Sequence, residues 1–166
     1  MTVQTEPTER APFAWKYNLL TVVAATTAAI AATTSASIGW PVWAMFMGWV
    51  AFFTRGHSAS EALKSYTCLV VGIAIGMAAA LALQALMPAM GALAFGPVVF
   101  IVAMIVVSLR ALAPVNNVPA YFLGLITFFA AHLEPGWLAF CELAGVAALG
   151  CAAAWLAHRL QGAIAR

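Results

Sequence analysis

The chain is poor in charge and contains no aspartate. Of its 166 residues only 7% are charged, whereas 65% are hydrophobic. Its uncharged runs exceed the length that crosses the hydrocarbon core of a bilayer. This composition excludes a soluble globular domain and predicts an integral membrane protein whose main partner is the lipid bilayer. The net charge of +2 gives no indication of nucleic-acid binding.

Residues that could bind a metal or carry redox chemistry are also scarce. Cysteine occurs three times, each time without a C-x-x-C or C-x-x-H unit, at Cys68, Cys141 and Cys151. These side chains are expected to pack between helices. His132 and Glu134 lie close together in sequence, but two ligands do not make a metal site. We therefore predict no metal and no cofactor.

Catalytic motifs are missing as well. The segment 56 to 60, Gly-His-Ser-Ala-Ser, approaches the nucleophile-elbow pattern but lacks its closing glycine and a preceding strand. The same segment fits a capping box, in which Ser58 accepts from a free backbone amide and Glu61 reaches back, so that a helix begins here. No nucleotide-binding loop is found. The sequence thus predicts no catalytic residues and no enzyme.

Apolar runs and their breakers predict an all-α polytopic protein with six transmembrane helices. The spans are expected at 18 to 37, 38 to 54, 65 to 87, 91 to 109, 112 to 131 and 137 to 157. These spans divide the chain into four parts: a cytoplasmic tail at 1 to 17, a three-helix repeat at 18 to 87, a second three-helix repeat at 88 to 158, and a carboxyl-terminal tail at 159 to 166.

Positive charges set the predicted orientation. All seven fall on one side of the six predicted spans: Arg10, Lys16, Arg55, Lys64, Arg110, Arg159 and Arg166. The positive-inside rule then places both termini in the cytoplasm. A competing interpretation is a cleaved signal peptide, because Ser35-Ala36-Ser37 resembles a small-residue cleavage site. Cleavage would leave five spans and remove the first helix of the repeat.

Internal similarity suggests that the two halves are inverted repeats. The pattern F-x-G-x-x-x-F-F occurs at 46 to 53 and again at 122 to 129. A second echo, C-x-x-x-G, begins at Cys68 and at Cys141. Because each half holds three spans, corresponding helices would cross the bilayer in opposite directions, as in many transporters and channels. The alternative is chance, since glycine and alanine match easily in apolar helices.

Polar side chains inside the spans are the main functional candidates. Asn116 and Asn117 are bracketed by Pro114 and Pro119, so the start of span five is expected to be kinked or partly unwound. The two carboxamides could repair the broken backbone or point into a cavity, and the sequence leaves both open. Glu142 is the only acid well inside a span, which makes it a functional candidate by default. Snorkelling to the interface or protonation are its alternatives.

Two helix faces have matching spacing and could line one central pathway. They are Asn117, Tyr121, Gly124 and Phe128 in span five, and Pro41, Met45, Gly48 and Phe52 in span two. The alternative is a packing seam in which Gly48 and Gly124 let helix backbones approach. Further small-residue stripes, expected to pack helices within the chain or between subunits, centre on Gly72, Gly76, Gly145 and Gly150.

The segments 39 to 57 and 116 to 130 together resemble the bacterial YcdZ-like inner-membrane family, also called domain of unknown function 1097. The resemblance implies a multipass protein of the bacterial inner membrane and brings no assigned substrate. From the residues themselves we predict a homo-oligomeric channel or facilitator for a small neutral or weakly ionisable solute. The alternative is a non-transporting scaffold or subunit that binds partner helices through its glycine and alanine stripes.

Overall fold

The computed structural model describes residues 15–165 and is entirely helical over that range. Six α-helices follow one another along the chain: α1 Trp15–Ser37, α2 Val42–Phe53, α3 Ala59–Met90, α4 Phe95–Ser108, α5 Val118–Ala131 and α6 Trp137–Ala165. Three short 3₁₀ turns lie between them at Gly91–Ala94, Leu109–Ala111 and Ala113–Val115. The predicted all-α class is confirmed. The predicted tail at 1 to 17 falls mostly outside the described residues.

The helices have the length and apolar composition of a membrane protein. Three helical runs are long and apolar enough to cross a bilayer: Trp15–Ser37, Ala59–Ala111 and Trp137–Ala165. The second run is 53 residues long and comprises α3 and α4. It turns at Gly91, whose φ of 55° lies in the region that favours glycine. α4 then packs back along α3, with Val98 near Leu83 and Val106 near Cys68.

Two helices are much shorter than the rest. α2 has 12 residues and α5 has 14. At 1.5 Å per residue they extend about 18 Å and 21 Å, less than the roughly 30 Å of a hydrocarbon core. Their central position explains why they can be short. They pack between longer helices, so neighbouring protein rather than lipid surrounds much of their length.

Helix pairing is crosswise between the two halves of the chain. The two largest interfaces join α3 with α5 and α2 with α6. α1 packs mainly on α6, and α4 packs mainly on α3 and the turn before it. The main core cluster lies among α2, α3 and α6, with Met45, Leu69 and Ala147 completely buried. α1 and α4 lie at the periphery, where most of their large apolar side chains are exposed.

The cationic connections meet at one end of the bundle, which we call the cationic end. Arg55, after α2, bonds to Asn116, which precedes α5. Gln161 of α6 donates from Nε2 to the carbonyl of Leu20 in α1 at 2.8 Å. The rings of His57 and His158 stack with centroids 4.7 Å apart. Because these contacts link the start of α1, the end of α2, the start of α5 and the end of α6, all four lie at the same end.

Candidate functional site

The main polar cluster lies at the cationic end, where α2 ends and α3 and α5 begin. We call it the polar cluster, and it consists of Thr54, Arg55, Glu61, Ser65, Asn116 and Asn117. Two of its members, Asn116 and Asn117, are pore candidates from the sequence. The other four are not among the candidates for a functional site that the sequence indicates. Their position at helix ends on the predicted cytoplasmic side was the signal that could have found them.

Asn117 holds three helices together. It is the N-cap of α5, where its Oδ1 accepts from the backbone amide of Ala120 at 3.4 Å. Its Nδ2 donates to Thr54 Oγ1 at 2.6 Å and to Ser65 Oγ at 3.0 Å. With only 3% of its surface exposed, this carboxamide depends on those partners. The sequence left open whether Asn117 bonds to the broken backbone or points into a cavity. In the structure its side chain bonds to the backbone at the start of α5.

Arg55 forms the exposed half of the polar cluster. Its Nε donates to Glu61 Oε2 at 2.6 Å, and its Nη1 donates to Asn116 Oδ1 at 2.5 Å. Lys64 Nζ reaches the other oxygen of Glu61, also at 2.6 Å. The hydrogen bond from Lys64, followed by that from Arg55, lowers the pKa of the Glu61 carboxyl. Only one half of the predicted capping box forms. Ser58 Oγ accepts from the backbone amide of Glu61 at 3.2 Å, whereas the Glu61 carboxylate bonds to the two cations instead of to the cap.

The backbone break before α5 is also satisfied from within the chain. Pro119 has no amide hydrogen, so it cannot bond to the carbonyl of Val115 four residues earlier. That carbonyl instead accepts from Tyr121 Oη at 2.9 Å and from Cys68 Sγ at 3.4 Å. Tyr121 is 1% exposed. Its hydroxyl therefore supports the entrance of α5 and is occupied by a backbone partner.

Glycine lets α2 and α6 approach to backbone contact. A Cβ added at Gly48 would lie 1.9 Å from the carbonyl oxygen of Ala147. A Cβ added at Gly150 would lie 1.8 Å from the carbonyl oxygen of Met45. Both distances are far shorter than any real contact, so only glycine fits at either position. Met45 and Gly48 thus lie in the α2–α6 seam.

The α3–α5 interface has the same construction. A Cβ at Gly124 would lie 2.1 Å from the carbonyl oxygen of Leu69, and one at Gly72 would lie 2.2 Å from the carbonyl oxygen of Tyr121. Gly76 and Gly145 are less tightly enclosed. Their nearest neighbours would be Phe128 Cβ at 3.1 Å and the Trp40 ring at 2.8 Å, respectively. All the glycines selected from the sequence therefore meet other helices or loops of the same chain.

Glu142 lies at the opposite end from the polar cluster. It is half-buried, one turn before Gly145, which packs against Trp40 next to the start of α2. Asn117 instead contacts Thr54, which follows the end of α2. The length of α2 separates these regions by about 18 Å. The structure therefore does not bring Glu142 together with Asn116 and Asn117.

Five mainly apolar grooves with volumes of about 230 to 390 Å³ lie on the described part of the bundle, four of them between helices and one along α4. Their walls come mainly from α1, α3, α4, α5 and α6. The five grooves are lined by none of the pore candidates from the sequence, which are Asn116, Asn117, Tyr121, Gly124, Phe128, Pro41, Met45, Gly48, Phe52 and Glu142. Within residues 15–165 there is also no group of three or more His, Cys, Asp or Glu side chains arranged to hold a metal ion.

Comparison with known proteins gives one match. No curated protein and no solved structure matches the chain significantly. A family model described as "Protein of unknown function (DUF1097)" matches residues 21–158, which is most of the chain and extends from early α1 to near the end of α6. The chain therefore belongs to the DUF1097 family.

Proposed function

We propose that this protein crosses the bacterial inner membrane six times as two inverted three-helix repeats and facilitates the passage of a small neutral or weakly ionisable solute. The observation that carries the proposal is the pair of crosswise glycine seams, α2 against α6 and α5 against α3. Inverted-topology repeats are the construction of many transporters.

The seams support a repeat because corresponding residues make equivalent glycine-to-carbonyl contacts in each half. Gly48 meets a carbonyl of α6, and Gly124, 76 residues later, meets a carbonyl of α3. Met45 and Tyr121, also 76 residues apart, offer their carbonyls to Gly150 and Gly72. The first residues of α2 and α5 have the same separation, while those of α3 and α6 are 78 residues apart. The two-residue difference arises because the stretch from the start of α5 to the start of α6 is two residues longer than the stretch from the start of α2 to the start of α3.

This register differs from the one suggested by the C-x-x-x-G echo. The echo aligns Gly72 with Gly145, whereas the seam contacts pair Gly72 with Gly150. The contacts are the better guide, because an alanine-rich helix matches another in several registers. Under the contact-based register the F-x-G-x-x-x-F-F motifs remain equivalent.

The cationic end supports a cytoplasmic assignment for both termini. Five of the seven basic residues lie in the described part of the chain, and they lie near helix ends. Contacts of the polar cluster, of Gln161 and of His57 connect these helix ends to one another. Such clustering agrees with the positive-inside rule. The six helices then alternate in direction across the membrane.

The contacts that the glycines make favour facilitation over the scaffold alternative. The scaffold hypothesis has partner helices bind through glycine and alanine stripes, and it therefore needs the four glycines on which these stripes centre to be free. Gly72, Gly76, Gly145 and Gly150 are instead occupied by Tyr121, Phe128, Trp40 and Met45 of the same chain. In the proposed route the exposed carboxamide of Asn116 lies at the cytoplasmic mouth and Glu142 lies near the opposite mouth, in a homo-oligomer.

Stopped-flow light scattering on proteoliposomes tests this proposal. Vesicles containing the protein should recover volume faster than protein-free vesicles for at least one of urea, small amides and ammonium. Glu142→Gln should slow that recovery, whereas Glu134→Gln, which alters an exposed acid of the α5–α6 loop, should not. Equal recovery with and without protein for all these solutes would overturn the proposal and favour the scaffold alternative.

A further inference from the structure

A groove runs along the side of the bundle between α1 and α6. Its volume is about 350 Å³, and it is open along one side. It is lined by Thr27, Ile30, Ala31, Thr34, Leu149, Ala152, Ala153, Trp155 and Leu156. In a membrane-embedded bundle, a lateral opening between peripheral helices faces lipid.

The walls of this groove are effectively apolar. Thr27 Oγ1 donates to the carbonyls of Val23 and Ala24 at 3.0 and 2.9 Å, and Thr34 Oγ1 donates to Ile30 at 2.9 Å. With their hydroxyls satisfied by their own helix, both threonines leave methyl groups for contact. Because three of the other lining residues are alanines, the groove stays open where larger side chains would fill it.

The groove is positively charged where it approaches the cationic end of the bundle. The guanidinium of Arg159 lies 5.8 Å from the centre of the Trp155 ring, which lines the groove. Gln161 ties α6 to Leu20 of α1, and Lys16 lies one turn before Leu20. Among residues 15–165, the ion pairs formed are those of Glu61 with Arg55 and Lys64, so Arg159 and Lys16 have no acidic partner there.

We propose that this groove binds an anionic phospholipid, with one acyl chain along α1 and α6 and its phosphate at Arg159 and Lys16. The apolar walls match a hydrocarbon chain, and the two cations match a phosphate that lies at the depth of the interfacial Trp155. A partner helix fits less well. A helix is about 10–12 Å across, so two turns of one would fill on the order of 1,000 Å³.

A second groove with a cation provides a comparison. It lies along α4, has a volume of about 390 Å³, and includes Arg110. The described residues that line it come from α4 and the turn directly after it, and none of them is a tryptophan. It therefore lacks both the second wall and the interfacial ring of the α1–α6 groove. Arg110 is an exposed arginine at the cationic end and serves as the matched control for Arg159.

Native mass spectrometry of the full chain, released from nanodiscs of equal phosphatidylglycerol and phosphatidylcholine, tests the proposal. The wild-type protein should retain phosphatidylglycerol preferentially. Arg159→Gln should reduce that retention about fivefold, because one interfacial cation contributes about 1 kcal/mol. Arg110→Gln should leave it unchanged. Equal retention of the two lipids, no loss in Arg159→Gln, or an equal loss in Arg110→Gln would each overturn the proposal.

A second pair of variants tests the chain-binding wall without changing charge. Ala153 is half-buried and lines this groove but none of the other four, so Ala153→Leu should fill part of it and reduce phosphatidylglycerol retention. Ala74 is exposed on its helix and lines none of the five grooves, so Ala74→Leu should have no effect. Unchanged retention in Ala153→Leu would show that the lipid does not occupy this groove. The melting temperature of each variant verifies that it is folded.

Discussion

Replacing Gly150 by alanine should destabilise the protein more than its small change in volume suggests. The new Cβ would lie 1.8 Å from the carbonyl oxygen of Met45 and 2.9 Å from the amide nitrogen of Trp49. Both neighbours are backbone atoms, so no side-chain rotation can relieve the clash. Ordinary contact begins near 3.4 Å, and α2 and α6 would have to separate by more than 1 Å.

The expected cost follows from that separation. Overpacking a core usually costs about 1–3 kcal/mol. Here the separation would also loosen the Gly48–Ala147 contact in the same seam, so we expect a loss of about 3 kcal/mol. For a chain of this size, each kcal/mol lowers the melting temperature by about 2–4 °C. Gly150→Ala should therefore melt roughly 6–12 °C below the wild type.

Thermal unfolding in detergent, followed by far-ultraviolet circular dichroism, measures this effect. Gly162→Ala is the control, because Gly162 lies in the same helix with no atom within 4 Å of the added Cβ. Alanine has the higher helix propensity, so the control should be unchanged or stabilised by up to about 1 kcal/mol. If the two variants melted at the same temperature, the close α2–α6 seam would be refuted.

Three further predictions concern the cationic end and the start of α5. Asn117→Ala should cost about 2–4 kcal/mol in unfolding experiments, because it removes an N-cap and leaves a buried Ser65 hydroxyl without its donor. Asn116→Ala removes a single side-chain hydrogen bond, from the half-buried Arg55 to an exposed carboxamide, and should cost less than about 1 kcal/mol. Equal losses in the two variants would contradict this difference. The lowered pKa of Glu61 means that its stabilising contribution is complete above its ordinary pKa of 4.5 and is lost as the pH falls through the lower folded value. The acid-induced drop in melting temperature should therefore be smaller in Glu61→Gln, and an identical drop would exclude Glu61 as its source. Tyr121→Phe should cost about 1 kcal/mol in the same unfolding assay by removing one donor to a freed carbonyl, and no loss would show that this bond is dispensable.

The positions of the helices could be predicted from the sequence because apolar runs and breakers are local features. Each of the six α-helices overlaps one predicted span. The ends were less accurate, since α3 extends through Pro88 to Met90 and α6 continues to Ala165.

Packing partners could not be predicted, because several small-residue stripes are interchangeable in sequence. The same GxxxG-type pattern could have bound a second subunit, yet Gly72 meets Tyr121 within the chain. The role of Asn117 was similarly undetermined. Its position beside Pro119 indicated a broken helix, but the choice between capping and cavity depended on Thr54 and Ser65, which are distant in sequence.

Accessibility of single cysteines to a membrane-impermeant maleimide tests the six-span inverted topology most directly. In a Cys141→Ser background, which keeps the buried Cys68 and Cys151, each variant of the full chain would carry one added cysteine at an exposed position: 37, 56, 92, 111 or 136. A six-span topology with both termini in the cytoplasm predicts labelling of intact cells at positions 37, 92 and 136, and labelling at 56 and 111 only after the membrane is permeabilised. Labelling of positions 56 and 92 from the same side would contradict it, because α3 would then not cross the membrane.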